Sequence, residues 1–135
     1  MDETGFLDVA DDLSTGAREA DWRSATSRAY YAAFHKARRL LQRSGFVVPR
    51  GDQAHAYLWL RLSNSRHPDV VDAGATLNDL RRARNRADYD VDFPVDQAES
   101  IDHVHIAAKV IQLLDDLAKE TTIRDQVLDA IKVYE

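Results

Sequence analysis

Two stretches put chemically capable residues where helix packing alone would not. Ser27-Arg28-Ala29-Tyr30-Tyr31-Ala32-Ala33-Phe34-His35 and Arg84-Asn85-Arg86-Ala87-Asp88-Tyr89 each mix aromatic or small apolar residues with arginine. Arg84 follows Leu77 by seven residues and Leu80 by four, so it continues the apolar stripe of its helix. A guanidinium on a buried stripe is unfavourable unless an anion meets it. Two anions are open. One is the carboxylate of Asp88, a turn further on; the other is a ligand phosphate, which the guanidinium fork matches. Position alone favours the ion pair.

The first stretch belongs to a helix with two faces. Thr26, Ala29, Tyr30, Ala33, Phe34, Ala37, Leu40 and Leu41 share one; Arg28, Tyr31, His35, Arg38, Arg39 and Gln42 share the other. Tyr30 and Phe34 read as core. Tyr31, among cations, could stack on a base. His35 could move a proton near neutral pH, or simply be a solvated surface residue. His55 and His67 read as isolated. His103 and His105 are two residues apart, the wrong helical spacing for joint metal ligation. No HExxH, paired-Asp or EF-hand pattern occurs, and no glycine-rich phosphate loop, so neither metal nor cofactor is expected.

The charge distribution supports a local anion site. The 135-residue chain carries a net charge of −5, which argues against indiscriminate nucleic-acid binding. Yet no acidic residue lies between Trp22 and Gly51, where Arg23, Arg28, Lys36, Arg38, Arg39, Arg43 and Arg50 gather. Arg81, Arg82, Arg84 and Arg86 form a second basic cluster. Such asymmetry suits either an anion site on an acidic body or the pairing of basic with acidic helices inside one bundle. There is no cysteine, hence no disulfide or thiolate zinc site. No leader-like or membrane-length apolar run is visible, so a cytoplasmic location without membrane contact is the expectation.

The elements that must position these residues are helices. Five Gly and three Pro interrupt a chain rich in Ala, Leu, Arg and Asp. The periodicity predicts helices over roughly Phe6 to Glu19, Asp21 to Ser44 with Asp21 as N-cap and Gly45 as terminator, and Asp52 to Leu62 with Asp52 as cap. Pro68 opens a fourth helix that buries Val70, Ala73, Leu77 and Leu80. A fifth runs from Val95 to Lys119 with Ala98, Ile101, Val104, Ala108, Ile111, Leu114 and Ala118 in register. Thr122-x-x-Asp125 starts a last amphipathic helix. The fold class is all-α: an up-and-down bundle of five to six helices, with the second and fourth adjacent. Residues 1–121 form the bundle and 122–135 an amphipathic helix packed on it or on a partner.

The two opening segments together resemble the HEPN superfamily of small helical, generally dimeric domains. The Tyr30-Tyr31-Ala32-Ala33-Phe34-His35 run is similar to that family's long second helix, and Arg84-Asn85 to the start of its R-x4-6-H motif. The resemblance spans roughly Phe6 to Leu117. It implies an RNA- or nucleotide-directed role, in many members metal-independent endoribonuclease activity within toxin–antitoxin or phage-defence modules, often beside a small nucleotidyltransferase acting as antitoxin. By resemblance, Arg84 would contact the scissile phosphate with Asn85 beside it. Tyr89 stands where the motif histidine is expected, and a phenol is a poor base at neutral pH. Arg28, Tyr31, His35, Arg39 and Arg81 would extend the site along bound RNA. The alternative is a non-catalytic module for dimerisation, partner binding or nucleotide binding.

Overall fold

The small residues of the second helix decide the architecture. The computed structural model describes residues 1–135 and contains six helices and no strand: α1 (Thr4–Ser14), α2 (Glu19–Arg43), α3 (Gln53–Ser63), α4 (Pro68–Tyr89), α5 (Gln97–Lys119) and α6 (Thr121–Tyr134). On α2, Ala25, Ala29, Ala32, Ala33 and Ala37 are all buried, so other backbones can approach it from several sides. α1, α4 and α5 do so, and α3 lies across α4 and touches α2. Tyr30, Leu58, Leu62, Leu77 and Leu114 fill the space between them. The result is the all-α helical bundle expected, with α2 and α4 in contact. No helix is long and apolar enough to cross a membrane.

Helix ends follow local turn chemistry more closely than the sequence pattern. α1 stops at Ser14 rather than Glu19, because the chain turns where the Trp22 indole donates to the Gly16 carbonyl at 2.8 Å. α2 then begins two residues before Asp21. Asp21 is therefore no N-cap; it reaches back from the third helical position to the Arg18 backbone N–H at 3.3 Å and pairs with the Arg18 guanidinium at 2.9 Å. Asp52 already has helical backbone angles and makes no side-chain cap. α5 starts at Gln97 behind Asp96, whose carboxylate accepts the Glu99 N–H at 2.8 Å. α6 starts at Thr121 with no side-chain cap. Gly45 ends α2 as expected: at φ +96° it lets Phe46 N–H reach the Leu41 carbonyl at 3.0 Å.

The buried stripe of α5 is also rotated from the expected register. Val104, Ala107, Val110, Ile111, Leu114 and Leu117 are buried, whereas Ala98 and Ala118 are exposed. The helix faces both α2 and α4, so its contact surface is broader than a single stripe. Val127 and Ile131 of α6 are buried on the bundle, and Glu135 accepts the Tyr57 hydroxyl at 2.6 Å.

Arg23 locks the end of α4. Its guanidinium donates to the carbonyls of Arg86, Ala87, Asp90, Val91 and Phe93. These include acceptors that a helix C-terminus leaves unpaired, and the positive charge suits the negative end of the helix dipole. Glu19, a turn earlier on α2, accepts the Val95 N–H at 2.9 Å. The start of α2 thus holds both α4's last turn and the connection to α5.

At Gly74, α4 comes close to the end of α3. A Cβ at Gly74 would lie 2.7 Å from Ser63 Oγ and 2.8 Å from the Ser63 backbone nitrogen. Gly74→Ala should therefore push the helices apart and lower stability by about 1–3 kcal/mol. Thermal melting followed by circular dichroism reads this; an unchanged midpoint would show that the contact is not tight.

Candidate nucleic-acid interface

The site is built on three rings of α2. Tyr30, Tyr31 and Phe34 sit at i, i+1 and i+4, so they fan out on neighbouring sides of one turn. Tyr30 and Phe34 are buried and Tyr31 is half-buried. Their edges carry two side chains from other helices. Arg84 of α4 places its guanidinium carbon 5.2 Å from the Tyr31 ring centre and 5.6 Å from that of Tyr30. His55 of α3 sits 4.9 Å from the Phe34 ring and 5.6 Å from Tyr30, centre to centre.

Arg84 is only 7% exposed, as the apolar stripe foretold. Its carboxylate partner is weak. Arg84 Nη1 lies 3.9 Å from Asp88 Oδ2, beyond hydrogen-bond reach, and that oxygen already accepts the Ser27 hydroxyl at 3.0 Å. Arg84 Nε is sealed from solvent and has no hydrogen-bond partner. An unpaired buried donor costs about 1–3 kcal/mol, more when charged. Cation–π contacts return about 0.5–2 kcal/mol each. The rings of Tyr30, Tyr31 and, at 5.9 Å, Tyr89 therefore offset the burial without satisfying the N–H. The ion pair with Asp88 exists, yet it leaves the guanidinium fork unfilled.

Beside this fork an open groove of about 510 Å³ runs between α3 and α4. Asp52, His55, Ala56 and Trp59 line one wall; Arg81, Arg84, Asn85 and Tyr89 line the other. Arg81 is braced by the Asn78 side-chain oxygen, at 3.1 Å from Nε and 3.0 Å from Nη2, and has no carboxylate partner within 4.0 Å. Arg28 adjoins the groove through Tyr31, its guanidinium carbon 5.3 Å from that ring. Nowhere in the molecule do three His, Asp or Glu side chains converge as a metal would require.

The groove thus gathers Arg81, Arg84, Asn85 and Tyr89; Tyr31 does not line it but touches Arg84, and Arg28 lies beyond Tyr31, also 5.7 Å from the Phe6 ring of α1. The groove does not gather His35 or Arg39. His35 stacks on Phe6 of α1 at 5.2 Å, and Arg39 pairs with the buried Glu3 at 3.0 Å and lines a separate cavity with Lys36 and Arg43. Both lie further along α2, on the side covered by α1. The HEPN domain family matches residues 6–117 of the chain. This chain belongs to the HEPN family. No curated protein and no solved structure matches it.

Within this HEPN chain the reading from sequence missed His55 and Trp59. A signal was present: Asp52, His55, Ala56 and Trp59 fall at i, i+3, i+4 and i+7, one face of a short helix. His55 Nδ1 lies 2.5 Å from the Tyr30 hydroxyl. Burial lowers the imidazole's pKa from its ordinary value, and the nearby Arg84 and Arg81 charges lower it further, against the opposing pull of Asp52. Burial pushes the Tyr30 hydroxyl well up, so it stays protonated at neutral pH. His35 and His103 are also lowered, chiefly by burial.

Two outcomes follow for stability. Because Arg84 is under-paired, Arg84→Met should leave the melting midpoint unchanged or raise it, whereas loss of a buried pair that holds the fold would cost about 3–5 kcal/mol. A large drop in the midpoint would mean that the guanidinium is structural. Second, three histidines with lowered pKa values bind fewer protons folded than unfolded. Their contribution is intact above the ordinary histidine value of about 6.5 and is lost as pH falls below it. Melts at decreasing pH should show this decline; a midpoint that rises between neutrality and mild acid contradicts it.

Proposed function

We propose that the chain binds single-stranded RNA in the groove between α3 and α4, with Arg84 on a backbone phosphate. The observation that carries this reading is the Arg84 guanidinium, which makes no hydrogen bond although it lines a groove open to solvent. A phosphate oxygen there would supply both the charge and the acceptor that Asp88 does not. Arg81 and Arg28 would meet neighbouring phosphates. Trp59, Tyr89 and Tyr31 offer ring faces to bases, and stacking of this kind tolerates many sequences. HEPN membership is consistent with a nucleotide- or RNA-related role.

The finer reading is metal-independent cleavage of that RNA. Arg84 would stabilise charge developing on the phosphate as a ribose 2′-hydroxyl attacks it. The family resemblance further favours a place in a toxin–antitoxin or phage-defence module, opposite a nucleotidyltransferase-type antitoxin. A homodimer fits the same reading. Tyr89, Val91 and Phe93 are 76%, 75% and 42% exposed at the end of α4, an apolar lip beside the groove that a second copy could cover. The same lip supports the alternative of a protein-binding module without catalysis.

Binding of a mixed-sequence RNA oligonucleotide in EDTA, followed by fluorescence anisotropy, tests the main reading. With about three phosphate contacts, affinity should fall roughly 10- to 20-fold between about 50 and 200 mM salt. Arg84→Ala should weaken binding by roughly 10- to 100-fold, the loss expected for a charge-assisted bond. Binding that is absent at low salt, or indifferent to Arg84, refutes it.

A further inference from the structure

We propose that His55 is the proton acceptor for RNA cleavage in this groove, oriented by Tyr30; this rests on the RNA reading above. Attack by a ribose 2′-hydroxyl requires a group that is neutral near pH 7 and able to take a proton. Tyr89, exposed at the groove's rim, is a phenol and a weak base at that pH. His35 is stacked under α1 and does not line the groove. His55 lines it together with Arg84 and Asn85.

Its surroundings suit the task. The imidazole ring rests on Phe34 and Tyr30, which fixes its plane. Nδ1 is occupied by the Tyr30 hydroxyl, leaving Nε2 as the nitrogen available to a ligand. In the tautomer we assign, Nδ1–H donates to Tyr30 Oη, so that Nε2 carries the lone pair. That bond persists once Nε2 is protonated, since an imidazolium donates from both nitrogens. The charged and titratable groups around the ring are Asp52 just before α3, Arg81, Arg84 and Tyr89 on α4, and Tyr30 and Tyr31 on α2. Burial first, and then the two arginines against the one carboxylate, lower the imidazole's pKa from its ordinary value.

The step balances without metal or oxidant. Nε2 of His55 takes the proton as the 2′ O–H bond breaks. The 2′-oxygen forms a bond to phosphorus while the bond from phosphorus to the 5′-oxygen breaks. The departing 5′-oxygen takes a proton from water, and His55 returns its proton to the hydroxide so formed. The products are a 2′,3′-cyclic phosphate and a 5′-hydroxyl. Arg84 donates to the phosphate oxygens throughout, and Tyr30 is a positioning residue that never exchanges a proton with RNA.

The test is an RNA oligonucleotide incubated with the full chain in EDTA, with product ends identified by mass spectrometry and binding measured in parallel on a fully 2′-deoxy analogue. Wild type should give cyclic-phosphate ends, and the analogue should bind uncut. His55→Gln should lose about 100-fold or more in cleavage rate with unchanged affinity for the analogue. The wild-type rate should fall on acidification through a single ionisation below the ordinary histidine value of about 6.5, and Tyr30→Phe should move that ionisation. Equal cleavage by His55→Gln, or a wild-type rate without that acid limb, overturns the assignment. Wild type that binds the analogue but leaves RNA intact also overturns it while sparing RNA binding. Failure to bind either oligonucleotide removes the underlying reading instead.

Discussion

A cation held against aromatic rings, with no carboxylate close enough to satisfy it, is the constraint on which the rest of the molecule turns. Arg84 is buried, its Nε has no acceptor, and its only carboxylate stands 3.9 Å away and is shared with Ser27. Evolution of a merely stable bundle would replace such a residue with an apolar one, because packing a hydrophobe there is at least as favourable as burying an incomplete pair. The arrangement makes sense if the missing acceptor arrives with a ligand. The rings of Tyr30, Tyr31 and Tyr89 then serve as a holding environment, strong enough to tolerate the charge and too weak to compete with a phosphate.

The bundle exists around that arrangement. Buried alanines on α2 let α1, α4 and α5 close in, which brings α4's stripe down onto the Tyr30–Tyr31 edge. Gly74 lets α3 lie against α4, and this sets the groove's two walls at their separation. Arg23 fastens the last turn of α4 and the loop after it through five backbone carbonyls, so that Asp88 and Tyr89 keep their places at the rim. Each contact is local, yet each acts on the position of one guanidinium or of the imidazole opposite it.

The burial of Arg84 was legible in the sequence because helical periodicity is a property of one element. Its seven-residue spacing from Leu77 predicts burial without knowledge of any neighbour. The all-α class was legible for the same reason, whereas the contact between α2 and α4 is a tertiary fact that one helix's periodicity does not give. The place of His55 was not legible either. The face it shares with Asp52, Ala56 and Trp59 is periodic, but its contact with Tyr30 depends on α3 touching α2 across a loop that carries no periodic signal. Conversely, His35 and Arg39 shared a helical face with Tyr31, but α1 covers that part of α2 and the buried Glu3 claims Arg39. A helix face read from sequence is one surface; tertiary packing divided this one between two environments. The cap of α2 moved from Asp21 to Arg18, and Asp52 keeps its cap position without a capping side-chain bond, because turns near helix ends have several nearly equivalent hydrogen-bonding solutions.

The most direct test of the unfilled guanidinium is NMR of arginine side chains in protein labelled with ¹⁵N. Titrating in a short 2′-deoxy oligonucleotide should move the Arg84 Nε–H resonance further than any other arginine's, downfield as it gains an anionic acceptor, with Arg81 next. Arg23, whose donors are already committed to carbonyls, should stay still. An Arg84 resonance that is unchanged at saturation, or that already shows a strong acceptor in the free protein, would contradict the account.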